Sequence, residues 1–353
     1  MKGKHFIFQL SVALLTTAYL TFLIPRESSV KADGNTKYSY AEGKAECVME
    51  LHSRRVLYQN NGDLRLPMAS TTKILTCATV LENCANLNEE IVIPESATGI
   101  EGSSVYLKKD DIYTTEELLY GLMLRSGNDC ATALALHCGG SIASFTAKMN
   151  SIAQKAGALN SRFENPHGLP CENHYTTAYD LSLISCYAMH NTKFREIVST
   201  EYYSPRHWKN KNKMLHLYPN GIGIKTGYTK AAGRCLVSAA SKEGMTLICT
   251  LLNCATTYER SMKLLDDAFS AYRLERLLSK EQIFALKVGN KEIKAAAKQD
   301  YFYPLLKEEV DLVEIQTSVI EKGSNFIKSG AIIGNFKIYL AKQLLFSGNL
   351  YKL

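Results

Sequence analysis

Ser70-Thr71-Thr72-Lys73 sets a hydroxyl and an amine three residues apart, at the head of a segment where Ile74, Cys77, Leu81 and Cys84 recur at helical spacing. Three residues are nearly one helical turn, so Ser70 and Lys73 share a face. Burial and nearby cations lower a lysine pKa, and a neutral amine there can take the Ser70 proton, which is the chemistry of an activated serine nucleophile. A helix N-terminus also favours negative charge developing near Ser70. The pattern alone has a plainer alternative, with Ser70 as an N-cap and Lys73 in solvent; the same spacing recurs at Ser28–Lys31. Ser126-Gly127-Asn128 begins 56 residues later. Its hydroxyl can relay a proton and its amide can hold a substrate amide, or the segment is simply a turn and helix cap. Lys225-Thr226-Gly227 follows after another 99 residues, ending a β-like run. A strand edge binds extended peptides through its main chain, with Lys225 and Thr226 reaching a carboxylate and Gly227 allowing close approach. The bland alternative is a strand running into a turn.

The elements that must carry these groups are readable in outline. Glu46–Glu50 and Val56-Leu57-Tyr58, separated by His52-Ser53-Arg54-Arg55, predict a two-stranded hairpin. A helix is expected from about Ser70. Thr115–Leu124 and Asp129–His137 read as helices flanking the polar turn Arg125–Asn128, followed by helices over Phe145–Gly157 and Thr177–Met189. The period then changes. Ile222–Thr226, Cys235–Ala240 and Met245–Leu252 are strand-like runs with glycine-bearing turns, which predicts an antiparallel meander. Leu264, Leu265, Ala268, Phe269 and Tyr272 predict an amphipathic helix over Ser261–Leu278. Beyond Lys280, β-like pieces at Gln282–Val288, Val310–Thr317 and Phe336–Leu340, punctuated at Gly289-Asn290, Gly323-Ser324 and Gly334-Asn335, predict a separate small β domain over residues 280–353.

Ser-x-x-Lys on a helix start, Ser-x-Asn in a turn and Lys-Thr-Gly on a strand stand here in the order used by the active-site serine penicillin-recognising enzymes. The chain resembles the D-alanyl-D-alanine carboxypeptidases, the low-molecular-mass penicillin-binding proteins, over roughly residues 38–275. The wider wording agrees: Pro67-Met68-Ala69 before Ser70, Arg125-Ser126-Gly127-Asn128-Asp129, Gly223-Ile224 before Lys225, Tyr228-Thr229 after Gly227, and Phe163-Glu164-Asn165-Pro166-His167-Gly168-Leu169. The resemblance implies an α+β fold of the β-lactamase/transpeptidase type, an antiparallel sheet with helices on both sides plus a helical subdomain. It also implies that Ser70 attacks the carbonyl between two terminal D-alanines of a peptidoglycan stem peptide. Lys73 would be the general base, with Ser126 and Asn128 relaying the proton and positioning the peptide. Lys225 and Thr226 would meet the substrate's carboxylate end, and the Ser70 and Tyr228 N–H groups would hold the oxyanion. β-Lactam antibiotics would acylate Ser70. Arg260 stands about where relatives carry a carboxylate-binding arginine, counting forward from Lys225; a surface arginine at a helix start is the alternative.

Competing readings share the architecture. A class A β-lactamase needs a glutamate with an asparagine four residues on. Glu164, Glu172 and Glu196 are instead followed at that distance by Gly168, Thr176 and Thr200. A D,D-transpeptidase or endopeptidase differs only in acceptor, and a non-catalytic cell-wall-binding protein would not need the full motif set.

Composition narrows the classes further. The 353 residues are 46% hydrophobic and 21% charged, which excludes a wholly disordered or polytopic membrane protein. Of the net charge of +7, the first 32 residues supply an excess share through Lys2, Lys4, Arg26 and Lys31 against Glu27. The rest is spread without basic blocks, so nucleic-acid binding is not indicated. Met1–His5 and the apolar Phe6–Ile24 form a basic-then-apolar export signal, with Val30-Lys31-Ala32 fitting a signal-peptidase site and cleavage expected after Ala32. Residues 33 onward are therefore expected outside the cytoplasm, membrane-attached only if that segment is retained; the C-terminal Phe346–Leu353 shows no amphipathic anchor stripe. His137, His167, His174 and His190 lack metal-ligand spacing and no H-E-x-x-H or C-x-x-C occurs, so no metal or other cofactor is expected. The ten cysteines show no framework spacing. Cys77 and Cys84 lie about 10 Å apart along one helix, too far to bridge. Cys47, Cys235 and Cys249 suit apolar strands as small hydrophobes. Buried free thiols, and with them a reducing setting, are the expectation.

Overall fold

A computed structural model describes residues 41–289, 291–320 and 328–353. The expected export signal over residues 1–32 lies outside them, as do Asn290 and the Gly323-Ser324 turn. Ala45–Glu50 (β1) and Val56–Asn60 (β2) form the anticipated hairpin. A 3₁₀ turn over Ala69–Thr72 then runs into α1, Lys73–Asn83. The helix expected from Ser70 thus starts as a tighter coil. Its cause is local: Ala69 sits at φ +50°, and the Thr71 and Thr72 hydroxyls donate to the carbonyls of Met68 and Ala69, competing with α-helical bonding.

A small hairpin, β3 (Glu90–Val92) with β4 (Ile112–Thr114), precedes α2 (Thr115–Tyr120). A π-helical turn over Gly121–Arg125 leads to Ser126, and α3 (Asn128–Gly139) follows. The helical part is completed by α4 (Ile142–Ala156), α5 (Ala178–Met189) and α6 (Thr192–Ser199). Gly157 ends α4 in the left-handed region, and the Thr177 hydroxyl caps α5 by accepting from the Asp180 N–H. A short hairpin, β5 (Tyr202–Tyr203) with β6 (Trp208–Lys209), and one turn of helix, α7 (Met214–Leu217), lead into the meander β7 (Gly221–Thr229), β8 (Gly233–Lys242) and β9 (Met245–Leu252). Helix α8 (Thr257–Ala271) follows.

The main sheet is antiparallel with order β2-β1-β9-β8-β7. Its central strands are apolar at almost every position because both faces are covered. Cys47, Met49, Val237, Ala239 and Ile248 point into the core shared with the helical part, while Val48, Leu236, Leu247, Cys249 and Leu251 point into the core under α8. Cys47 and Cys249 are thus the small buried hydrophobes expected of them. One cysteine pair departs from that expectation. Cys84, at the end of α1, and Cys138, near the end of α3, are joined by a disulfide with Cα atoms 6.5 Å apart. The two lie 54 residues apart, and only the packing of α1 against α3 brings them together. Among the others, Cys171 is exposed and the remaining seven are buried thiols.

The helix expected over Ser261–Leu278 stops at Ala271. Tyr272–Leu278 is strand β10, and the C-terminal domain follows it with β11 (Phe284–Val288), β12 (Lys291–Ala296), β13 (Tyr301–Leu306), β14 (Val313–Val319), β15 (Ile332–Leu340) and β16 (Gln343–Lys352). β10 pairs along its whole length with β13, and that tertiary pairing overrides the local helical period. The other five strands form a sheet of order β11-β12-β16-β15-β14 over a core of Leu278, Leu286, Phe336, Ile338 and Leu350. Arg55, from the β1–β2 turn, ties this domain to the main sheet. Its guanidinium lies 5.2 Å from the ring centres of both Tyr272 and Tyr303, and it donates to the Pro304 carbonyl and the Glu309 carboxylate.

Candidate active site

The three motifs converge on one cleft. β7 passes directly over the Ser70 turn: a Cβ on Gly227 would lie 3.0 Å from the Met68 carbonyl oxygen and 3.1 Å from the Ser70 nitrogen. The loop carrying His167 closes the other side. Gly168, at φ +91°, has its backbone so close to Ala69 that a Cβ would sit 1.9 Å from the Ala69 oxygen, so only glycine fits there. Asn165 holds this loop in shape, its Oδ1 accepting from the His167 and Gly168 N–H groups, and Thr76 on α1 donates to the Pro166 carbonyl.

Ser126 adopts the left-handed conformation at φ 64°, and Asn128 begins α3. Asp129, completely buried, explains why an acid follows. Its carboxylate accepts from the Ser104 hydroxyl and from the Val105 and Leu107 N–H groups, pinning the loop that contributes Ser103 to the cleft.

Lys73 is 0% exposed. Its Nζ lies 3.0 Å from Ser70 Oγ, 2.6 Å from Asn128 Oδ1 and 2.8 Å from the His167 carbonyl oxygen. Burial, reinforced by Lys225, holds its pKa well below that of an ordinary lysine. Two of the three partners can only accept. A neutral amine satisfies both with its two N–H groups, which leaves its lone pair for the Ser70 hydroxyl. Lys225, 1% exposed, donates to the Thr226 carbonyl, and burial lowers its pKa to about 7, with Lys211 adding to the shift. His167 and His174 are also pushed down by burial, to about 4 each. His174 bonds Thr72 Oγ1 and accepts from the Glu164 N–H, a structural use consistent with a neutral ring.

The open cleft, about 260 Å³, is lined by Ser70, Ser126, Thr226, Gly227 and Tyr228 together with Ser103, Lys211, Arg234, Cys235, Thr257 and Tyr258. Lys73, Asn128 and Lys225 stand immediately behind its walls. No carboxylate lines it among the described residues. Among those residues, too, no cluster of histidine, cysteine and carboxylate groups that would suit a metal occurs.

Over residues 33–256 the sequence matches the peptidase family described as D-alanyl-D-alanine carboxypeptidase. The chain belongs to that family. It is 32% identical over 291 residues to the D-alanyl-D-alanine carboxypeptidase DacF of Bacillus subtilis, covering 78% of this chain and 74% of that protein. It is 36% identical over 219 residues to the D-alanyl-D-alanine carboxypeptidase of a Streptomyces species, covering 56% and 75%. Among solved structures, penicillin-binding protein 5 from Haemophilus influenzae superposes with a TM-score of 0.74 at 26% identity, covering 91% of this chain and 98% of that one. The fold is accordingly that of the serine D,D-peptidases, with a C-terminal β domain, and the protein is a serine-type hydrolase of this family.

Within this carboxypeptidase fold, one expected site residue is elsewhere. Arg260 is on neither the surface nor the cleft wall: it is 3% exposed, its Nε and Nη2 donating to Glu46 Oε1 and Oε2 at 2.8 and 2.6 Å, and Nη2 also donating to the Tyr58 hydroxyl. An arginine saturated by a buried carboxylate has no donors to spare for a substrate. Conversely, Lys211 and Arg234 border the cleft and were not singled out by spacing. Lys211 lies in a polar stretch with no periodicity, and Arg234 merely follows the Gly233 turn. None of Glu164, Glu172 and Glu196 lines the cleft: Glu164 accepts from the Cys171 thiol, Glu196 accepts from Tyr120 and Lys193, and Glu172 is exposed.

Proposed function

We propose that this protein removes the terminal D-alanine from peptidoglycan stem peptides through an acyl-enzyme on Ser70, and that penicillins acylate the same oxygen. The observation that carries the reading is the Lys73 amine, buried, held by two acceptor oxygens and 3.0 Å from Ser70 Oγ. In the acylation step Ser70 Oγ bonds to the carbonyl carbon while its proton passes to Lys73 Nζ. The oxyanion is met by the N–H groups of Ser70 and Tyr228, a contribution of about 3–4 kcal/mol per donor in comparable sites. The proton then moves through the Ser126 hydroxyl to the leaving nitrogen, the C–N bond breaks, and D-alanine departs. Asn128 fixes the Lys73 amine and the substrate amide. Water next attacks the ester and the shortened peptide leaves. Lys225 supplies positive field from behind Thr226. That no carboxylate among the described residues lines the cleft supports slow release of penicillin rather than β-lactamase turnover. The basic-then-apolar segment before Ala32 supports action outside the cytoplasm, where the substrate lies.

The test is direct. Wild-type protein incubated with a peptide ending in D-Ala-D-Ala releases free D-alanine and takes up a fluorescent penicillin; Ser70→Ala does neither. Release undiminished in Ser70→Ala would end this reading.

The two lysines also set a pH dependence. Lys73 must be neutral to accept a proton, so acylation rises with pH through its lowered pKa. Lys225 must be charged to draw the carboxylate, so activity falls as pH rises past about 7. A bell-shaped kcat/KM is expected. In Lys225→Arg, whose guanidinium does not titrate in this range, the alkaline limb disappears even if the maximum is lower. An alkaline limb that stays in place in this variant would assign it to another group.

A further inference from the structure

The leaving D-alanine carries a carboxylate one residue beyond the scissile bond, roughly 3.5 Å of chain from the reacting carbonyl. Something in the cleft has to contact it directly; Lys225 acts on it only through its field, from behind Thr226. Lys73 and Lys225 are enclosed behind the walls, and Arg260 is consumed by Glu46. Among the described residues two cations border the open space, Lys211 and Arg234. Lys211 leans to the far wall, its Nζ 3.4 Å from Ser103 Oγ, and a neighbouring Arg125 opposes its charge.

Arg234 is placed differently. It stands directly across the β7–β8 ladder from Tyr228, and two neighbouring pairs along, Thr226 faces Leu236. Side chains alternate along a strand, so Thr226, Tyr228 and Arg234 share one face of the hairpin, the face opposite Lys225. That face forms the cleft wall together with Thr257 and Tyr258 from the start of α8. The Arg234 guanidinium is exposed and makes no hydrogen bond or ion pair with any described residue. It is therefore an arginine with its donors unspent, on the strand paired with the one that presents the Tyr228 N–H and the Thr226 hydroxyl.

We propose that Arg234 is the substrate-carboxylate receptor of this enzyme, binding the free α-carboxylate of the terminal D-alanine beside Thr226 and taking the part that counting along the chain assigns to Arg260. This rests on the carboxypeptidase reading above and adds to it the residue that reads the free C-terminal carboxylate. Supplying the arginine from β8 also places the carboxylate contact and the oxyanion-binding strand in one rigid hairpin, so the terminal residue is oriented by the element that stabilises the transition state.

The experiment compares an acylated Lys-D-Ala-D-Ala tripeptide with its C-terminal amide, measuring kcat and KM for the wild type, Arg234→Ala, Arg234→Lys and Lys211→Ala. Wild type favours the acid. Arg234→Ala loses about 10- to 100-fold in kcat/KM on the acid, mostly in KM, and changes little on the amide, so the acid-to-amide preference collapses. Arg234→Lys restores part of the preference, since it keeps the charge without the bidentate fork. An unchanged preference in Arg234→Ala, or a collapse produced by Lys211→Ala instead, overturns the assignment while leaving the carboxypeptidase reading intact. Wild type that cleaves neither peptide overturns both.

Discussion

Lys73→Met is expected to slow acylation of Ser70 by penicillin roughly 10³- to 10⁴-fold, with the protein still folded. The size follows from what the amine does. Ser70 Oγ has no partner but Lys73 Nζ among the described residues, so removing that lone pair leaves a hydroxyl at its ordinary, unreactive pKa. Methionine nearly fills the same volume, so no large void opens. Asn128 Oδ1 and the His167 carbonyl do lose their donors, a penalty of about 1–3 kcal/mol for each group that stays dry. Against this, the buried site no longer has to accommodate an ionisable amine, which burial already disfavours in its charged form. The two effects oppose, and the melting temperature should move by only a few degrees. Lys73→Arg separates charge from basicity: it restores a cation but has no lone pair at neutral pH, so it should be as slow as the methionine variant. Time courses of fluorescent-penicillin labelling read both variants. A Lys73→Met protein that acylates within tenfold of wild type would mean that some other group deprotonates Ser70.

What could be read from the sequence follows from how local each feature is. Ser70 and Lys73 are one turn apart, Ser126 and Asn128 flank one glycine, and Lys225–Tyr228 are consecutive, so each cluster was visible as a short pattern. Their meeting depends on Gly227 and Gly168 letting three chain segments come within contact distance, which no single pattern encodes. The meander β7–β8–β9 was legible because both faces are buried and its apolar runs are bounded by turns. β10 was not, because Tyr272–Leu278 continues a helical period and becomes a strand only by pairing with β13. β12 and β16 were obscured by their charged and polar residues, which lie on a small, partly exposed sheet. Cys84 and Cys138 could not be paired by spacing, since the packing of α1 against α3 creates the proximity. Arg260 shows the limit most clearly. Its position along the chain was compatible with a substrate-binding role, but its guanidinium is already saturated by a carboxylate 214 residues away.

That saturation leads to the other large effect, which is on stability rather than on catalysis. Arg260→Met should destabilise the fold by about 3–5 kcal/mol, because it strands a buried carboxylate. Glu46 is completely inaccessible, and its other partners, the Gly43 N–H and the Tyr58 hydroxyl, cannot neutralise it. For a chain of this size the loss corresponds to a drop of roughly 4–7 °C in melting temperature. The converse change, Glu46→Gln, leaves a buried guanidinium with weaker acceptors and should also destabilise. The double variant Glu46→Met with Arg260→Met removes both charges from between β1 and α8. It should recover most of the loss, since well-packed apolar side chains often replace a buried ion pair at little or no cost. A thermodynamic cycle over these variants measures the coupling directly. Kinetics on the folded fraction supply the contrast: below its melting transition Arg260→Met should keep the KM for a D-Ala-D-Ala peptide within about threefold of wild type, whereas a carboxylate-binding arginine would lose tenfold or more. A raised KM with unchanged melting temperature would put Arg260 at the substrate after all. The geometry argues for the opposite division, with Arg260 holding α8 to the sheet and the cleft's own arginine left free to bind.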